Sequence, residues 1–204
     1  MFAQAGRPWI LFDALLVAAL SLVNLWTGWE PALYLASVAV GVLFLFLIFF
    51  RDPERTVASG IVAPADGRVL RVAREGTRIR VATFMNVTNV HVNRVPFQGY
   101  LLRVDDRGGP KRPAFSPEAS GNAQKRYLCV TPIGLIEVVQ ITGLVARRCV
   151  SYLPDGSPLR RGERFGMILF GSRVDVVLPA DRVRVTVKVG QKVHAGTTSL
   201  AVVQ

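Results

Sequence analysis

Charge is nearly missing from the start of this chain: only Arg7, Asp13 and Glu30 precede Arg51, and residues 31–50 carry none. An ordinary soluble domain is excluded over that stretch, because half of the whole chain is hydrophobic and almost all its charged residues lie after Phe50. Cysteine is scarce too. Cys129 and Cys149 are too few and too isolated for a disulfide framework or a zinc site, and both sit in apolar, strand-like runs that read as reduced core positions. No long amphipathic helix is evident after Arg51, which excludes coiled-coil architectures for that part.

What fills the charge-poor region is apolar. Residues 9–26 are hydrophobic apart from Asp13 and a few small polar side chains, and residues 31–50 contain no charge at all. Each run is close to the roughly 20 residues needed to cross a bilayer core. Thr27-Gly28-Trp29-Glu30 between them is a short turn with an interfacial tryptophan, so residues 1–50 are expected to form a helical hairpin. It either spans the membrane or lies shallowly in one leaflet. Asp13 falls near an interface end, where its carboxylate reaches water. Arg7 and Arg51 flank the hairpin and place both ends in the cytoplasm. Two apolar runs leading straight into Arg51-Asp52-Pro53-Glu54-Arg55 do not fit a cleaved signal peptide.

Residues 51–204 read as β-rich. Stretches 61–72, 79–84, 100–104, 127–131, 136–142 and 173–178 are short, β-branched or alternating, and are separated by Gly, Pro, Asp and Asn. Residues 105–125, rich in Gly, Pro, Ser and charge, predict an exposed loop that either folds over a substrate or is disordered. The net charge is +11, and setting aside Arg7, Asp13 and Glu30 leaves 24 basic and 12 acidic side chains, or +12. Beside a membrane, that charge favours an anionic phospholipid. Nucleic acid is not expected, because the basic residues are scattered without interleaved aromatics or a recognition helix. Arg51, Arg55, Arg147 and Arg148 are the candidates for a headgroup phosphate, since guanidinium matches phosphate geometry.

One dipeptide carries distinctive chemistry. Gly171-Ser172 lies between the apolar runs of Gly166-Met167-Ile168-Leu169-Phe170 and Val174-Asp175-Val176. A serine hydroxyl can attack the carbonyl of the residue before it, and glycine there offers no side chain to obstruct the approach. The amide becomes an ester. Elimination then leaves dehydroalanine, which loses ammonia to water and becomes an N-terminal pyruvoyl group, a ketone able to form a Schiff base with an amine and to accept electrons during decarboxylation. An isolated Gly-Ser is otherwise an ordinary turn.

The surrounding motifs remove that ambiguity. Phe49-Phe50-Arg51-Asp52-Pro53-Glu54-Arg55, Ala63-Pro64-Ala65-Asp66-Gly67, the Asn86 to Pro96 run with His91, Gly162-Glu163-Arg164-Phe165-Gly166-Met167-Ile168, and Phe170-Gly171-Ser172-Arg173-Val174-Asp175 occur in order. Together with Gln140-Ile141-Thr142-Gly143-Leu144-Val145-Ala146-Arg147-Arg148 they resemble the short, archaeal-type phosphatidylserine decarboxylases, a family of pyruvoyl enzymes. The resemblance implies a proenzyme cut into a β chain, residues 1–171, and an α chain, residues 172–204, which stay associated. It implies a pyruvoyl cofactor made from Ser172, no pyridoxal phosphate and no metal. The substrate would be phosphatidylserine, or archaetidylserine in an archaeal host, decarboxylated at the cytoplasmic face of the cell membrane. A homo-oligomer is compatible with all of this.

Within that resemblance Asp66 matches the aspartate that supports self-cleavage, by orienting a base or by taking a proton; a plain turn aspartate is the alternative. His91 is the candidate for protonating the carbanion after decarboxylation, since histidine exchanges protons near neutral pH; a buried structural histidine is the alternative. His194 reads as a surface residue. Longer members carry a second histidine and a threonine where this chain has Arg94 and Arg173, so the base acting on Ser172 stays open between Asp66, His91 and a water. The two ends of residues 51–204, around Val62 to Val69 and Val185 to Gly196, resemble each other and the halves of lipoyl and biotinyl carriers. A barrel-sandwich-like β fold is therefore expected, with first and last strands meeting and Asp66 near the cleavage region. The same likeness supports the rival, a non-catalytic membrane-anchored carrier or adaptor; a carrier needs an exposed lysine, usually beside methionine, and none of the three methionines neighbours a lysine.

Overall fold

Pro8 and Pro31 each sit in the first turn of a helix, where proline's missing N–H costs nothing, and Gly28 ends the first helix in the left-handed conformation at φ 68°. The computed structural model describes residues 1–110, 112–143, 148–169 and 172–204. The chain divides into two units, Met1–Glu54 and Arg55–Gln204.

In the first unit, α1 (Arg7–Thr27) and α2 (Glu30–Phe49) pack as a hairpin. At 1.5 Å per residue each is about 30 Å long, the thickness of a bilayer core. Ala32, Ala36 and Ala39 form the small, buried stripe of α2, while large apolar side chains such as Phe12, Leu35, Val38, Phe44 and Leu45 are exposed. Both helices are long and apolar enough to cross a membrane by length and composition. The hairpin's two ends are tied together: Ala3 donates to the Phe50 carbonyl at 2.8 Å and Asp52 to that of Met1 at 2.8 Å.

The second unit holds fourteen strands among the described residues: β1 (Ile61–Val62), β2 (Gly67–Glu75), β3 (Arg78–Met85), β4 (Val92–Arg94), β5 (Gly99–Arg107), β6 (Gln124–Thr131), β7 (Gly134–Thr142), β8 (Cys149–Ser151), β9 (Pro158–Leu159), β10 (Arg164–Ile168), β11 (Ser172–Pro179), β12 (Val183–Val185), β13 (Lys192–Val193) and β14 (Ser199–Val203). A curled sheet runs β13-β2-β3-β11-β7-β6-β5-β9, with three-stranded sheets β4-β10-β8 and β1-β14-β12 beside it. All pairings are antiparallel. The period-2 pattern puts Val174, Val176 and Leu178 of β11 into one core with Val81, Met85, Ile136 and Val138 of its neighbours.

The mainly β class with an apolar helical hairpin agrees with the sequence reading, and first and last strands do meet, through β1 with β14 and β2 with β13. Two local expectations change. The run 61–72 is two strands, because Pro64 lacks an N–H for a continuous ladder. The run 105–125 is neither all loop nor featureless: β5 extends to Arg107, a 3-10 turn covers Pro117–Gly121, and β6 starts at Gln124. Buried Asn122 pins this connection by donating to the Arg112 and Thr142 carbonyls, both at 2.7 Å.

Candidate active site

Ser172 is the first residue of β11, the strand hydrogen-bonded on both sides near the middle of the large sheet. It stands opposite Met85, the last residue of β3, and Thr142, the last of β7. The hydroxyl is fully buried and donates to Met85 Sδ at 3.3 Å. Gly171, with Phe170, lies outside the described residues, as does Arg147.

A line of buried polar groups leads to the same sulfur. Asn93 in β4 donates from Nδ2 to Met85 Sδ at 3.8 Å, and its Oδ1 accepts from Gln140 Nε2 at 2.7 Å. Gln140 Oε1 accepts the Tyr127 hydroxyl at 3.0 Å. Burial pushes the Tyr127 phenol well above its usual range, so it remains a donor at any physiological pH. The Phe165 ring meets Tyr127 edge-on, with centroids 4.7 Å apart. Gly166 makes room first for the neighbouring strand and then for the line: a Cβ there would run into the Val150 carbonyl and lie 3.0 Å from Gln140 Nε2 and 3.2 Å from the Tyr127 oxygen.

His91 immediately precedes β4, and its carbonyl accepts from Ile168, four residues before Ser172. The ring is fully buried. Its Nδ1 lies 2.9 Å from the Asn89 carbonyl, which can only accept, so Nδ1 carries the proton and Nε2 is the basic nitrogen.

Asp66 directly precedes β2, at the same sheet end as Ser172 with β3 between them, roughly 10 Å across at ordinary strand spacing. Its oxygens are committed. Arg55 donates to both, with Nη2 at 2.8 Å from Oδ2, and the Ala195 N–H donates to Oδ1 at 2.8 Å. Burial alone would raise its pKa, but the hydrogen bonds from Arg55 and Ala195 and the charges of Arg55 and His194 bring it below the usual carboxylate value. His194, expected at the surface, is half exposed yet puts Nδ1 3.6 Å from Asp66.

The four arginines therefore separate. Arg55 is an ion-pair partner of Asp66 and also donates to the Ala195 carbonyl at 2.9 Å. Arg51 belongs to the hairpin unit and donates to the Ile48 carbonyl at 2.7 Å. Arg148 is exposed, and its carbonyl accepts from Leu169, which brings it to the end of the sheet where β11 begins. No group of three or more His, Cys, Asp or Glu suited to a metal occurs among the described residues.

Sequence reasoning singled out Ser172, Asp66 and His91 but passed over Met85, Asn93, Gln140 and Tyr127. The available signal was Gln140, an amide within the apolar run Val138-Val139-Gln140-Ile141, since such a group is buried only with partners.

Comparison with known proteins identifies the family. The family described as phosphatidylserine decarboxylase matches residues 42–201. A phosphatidylserine decarboxylase proenzyme of Streptomyces avermitilis is 43% identical over 202 residues, covering 97% of this chain and 92% of that protein. A putative archaetidylserine decarboxylase proenzyme of Methanosarcina mazei is 36% identical over 208 residues, covering 100% and 98%. A phosphatidylserine decarboxylase proenzyme of Carboxydothermus hydrogenoformans is 38% identical over 190 residues, covering 87% and 85%. With a family model matching residues 42–201 and relatives matching up to the full length of the chain, the chain belongs to the phosphatidylserine decarboxylase family.

Proposed function

We propose that this chain is a proenzyme that cuts itself between Gly171 and Ser172 and then decarboxylates a serine phospholipid. The product is phosphatidylethanolamine from phosphatidylserine, or archaetidylethanolamine from the ether-linked substrate; relatives of both names support the headgroup and leave the tails to assay. The observation that carries the reading is Ser172 itself: a fully buried hydroxyl, preceded by glycine, at the first position of a central strand.

Self-processing needs no group from outside except water. The Ser172 hydroxyl oxygen attacks the Gly171 carbonyl, the C–N bond breaks, and the proton passes to the freed amine, giving an ester. Loss of the Ser172 α-proton then breaks the Cβ–O bond and releases Gly171 as a carboxylate that keeps the serine oxygen. The remaining dehydroalanine takes up water and releases ammonia. The resulting pyruvoyl group supplies a ketone that engages the substrate amine and takes up the electrons left by carbon dioxide.

The surrounding residues suit that group. A small, dry place lined by Met85 accepts a methyl ketone in place of a hydroxymethyl, and His91, with its basic Nε2, holds or delivers the proton that replaces carbon dioxide on the α-carbon. The lowered pKa of Asp66 and its use by Arg55 favour an orienting role over proton transfer: it fixes the turn before β2 against Ala195. Arg148, with Arg147, is proposed for the headgroup phosphate. Residues 1–50 are the membrane anchor, with Arg7 and Arg51 on the cytoplasmic side, and chain continuity keeps the catalytic part, residues 51–204, at that face.

The test is the intact mass of the purified protein under denaturing conditions beside Ser172→Ala. Two chains are expected in the wild type, residues 1–171 and a pyruvoyl-blocked 172–204, and one uncut chain in the variant. A wild type that stays whole in detergent or lipid would sink the proposal.

A further inference from the structure

The proposed self-cleavage asks more of Ser172 than burial. Its oxygen must face the preceding carbonyl with a lone pair available, so the hydroxyl proton has to be parked elsewhere without tying up the oxygen. Met85 Sδ does that parking: it accepts the proton at 3.3 Å, and a thioether is a weak acceptor that offers no donor of its own. Sulfur is also the mobile end of an unbranched side chain, which by itself would wander among rotamers. Something must hold it.

We infer that Asn93, clamped by Gln140 and Tyr127, is a positioning residue for the self-processing reaction, acting on Ser172 through the Met85 thioether. The inference rests on the reading of Ser172 as the self-cleaving residue. Asn93 lies in a different sheet from Ser172, on β4, yet its Nδ2 reaches the same sulfur, at 3.8 Å. Its amide cannot turn freely. Oδ1 is taken by Gln140 Nε2 at 2.7 Å, and Gln140 is itself oriented by the Tyr127 hydroxyl at 3.0 Å. All five side chains are buried, at 0% exposure for Asn93, Gln140, Met85 and Ser172 and 2% for Tyr127. A run of amides in a dry interior is costly unless it fixes something, and this one ends at the proposed nucleophile.

The inference concerns making the active group more than using it. Once the Ser172 hydroxyl is gone, the sulfur no longer has that proton to hold. Variants of the line should therefore slow appearance of the two chains.

Two substitutions in the full-length protein decide this. Met85→Leu keeps the volume, a swap cores tolerate well, and removes the acceptor. Asn93→Asp keeps the acceptor that Gln140 needs and removes the N–H donor, but protonation of the new carboxyl restores a donor. The rate of chain splitting is followed by denaturing mass spectrometry in freshly synthesised protein, with thermal unfolding recorded in parallel. Met85→Leu should split about tenfold or more slowly with its unfolding temperature nearly unchanged, a barrier rise of about 1.4 kcal/mol. Asn93→Asp should be slow at neutral pH and recover as pH falls through its carboxyl titration, a profile that a merely structural asparagine would not give. Splitting of folded Met85→Leu at the wild-type rate overturns the inference, whatever becomes of Asn93→Asp. So does an Asn93→Asp rate that falls with pH in step with the wild type. If the wild type itself does not split, or Ser172→Ala does, the failure lies in the reading of Ser172 and takes the inference with it.

Discussion

Ser172, Val174, Val176 and Leu178 project from one face of β11 into the core, whereas Arg173 and Asp175 project from the other. The inner row is dry and apolar apart from one hydroxyl against one sulfur. On the outer side, Arg173 makes a two-bond pair with Asp175 at 2.6 and 2.7 Å, and Arg80 of β3 reaches the same carboxylate at 3.3 Å. These groups line a polar cleft of about 500 Å³ together with Arg71, Arg107 and Arg126. The contrast teaches where the position of the hydroxyl comes from. A slip of one residue would exchange the two rows, burying charge inside and turning Ser172 outward. The inner row's apolar fit and the outer row's ion pairs specify the same register from opposite sides.

The largest effect is expected from breaking the outer side. Asp175→Ala takes the carboxylate from the buried Arg173 guanidinium, while Arg80 keeps Glu75 at 3.1 Å; breaking a buried pair by removing one partner is worth about 3–5 kcal/mol in general. The lower part of that range applies, since the Arg80 side chain is 25% exposed. Urea unfolding of the uncut Ser172→Ala background measures it, and the same change in the wild-type background should slow chain splitting because β11 loses its outer register lock. Leu178→Ala should cost slightly less, about 2–3 kcal/mol for the transfer and cavity terms, while leaving splitting near normal. Equal splitting in the two variants would remove the distinction between the faces.

The smallest effect sharpens the comparison with an ion pair that lies off the strand. Because the folded pKa of Asp66 is below its ordinary value of 3.8, its ionised form contributes stability that is complete above that value and is lost as pH falls through the lower folded one. Asp66→Asn should therefore flatten the acid limb of a stability profile below about pH 4 and leave its neutral shape alone. A destabilisation that grows toward neutral and alkaline pH would contradict this.

Much of this was legible in the chain. The two charge-poor apolar runs dictated a helical pair, and the β-branched stretches marked most of the long strands, because both signals are local. Strands β4, β9, β12 and β13, two or three residues long, and the five-residue β14 were not picked out, being held by partners distant in sequence. The proposed cut site was singled out through motif order. Its supporting line was not, because Tyr127, Gln140 and Asn93 meet only when β6, β7 and β4 are brought together across two sheets. Arg55 illustrates the converse: an arginine beside a membrane segment invites a phosphate, and only the folded chain shows its guanidinium spent on Asp66.

The fragment that begins at Ser172 contains β11, β12, β13 and β14, and these strands are dealt into two different sheets: β11 between β3 and β7, β13 on β2, β14 on β1. The proposed cut before Ser172 therefore changes the molecularity of unfolding while leaving these strand pairings in place. The precursor unfolds as one molecule, and its midpoint is independent of concentration; the processed protein unfolds by dissociating, so its midpoint falls on dilution. Folding must be finished before the cut, for a chain of 33 residues set loose from its partner has to find it again by diffusion, and maturation is in that sense a one-way door.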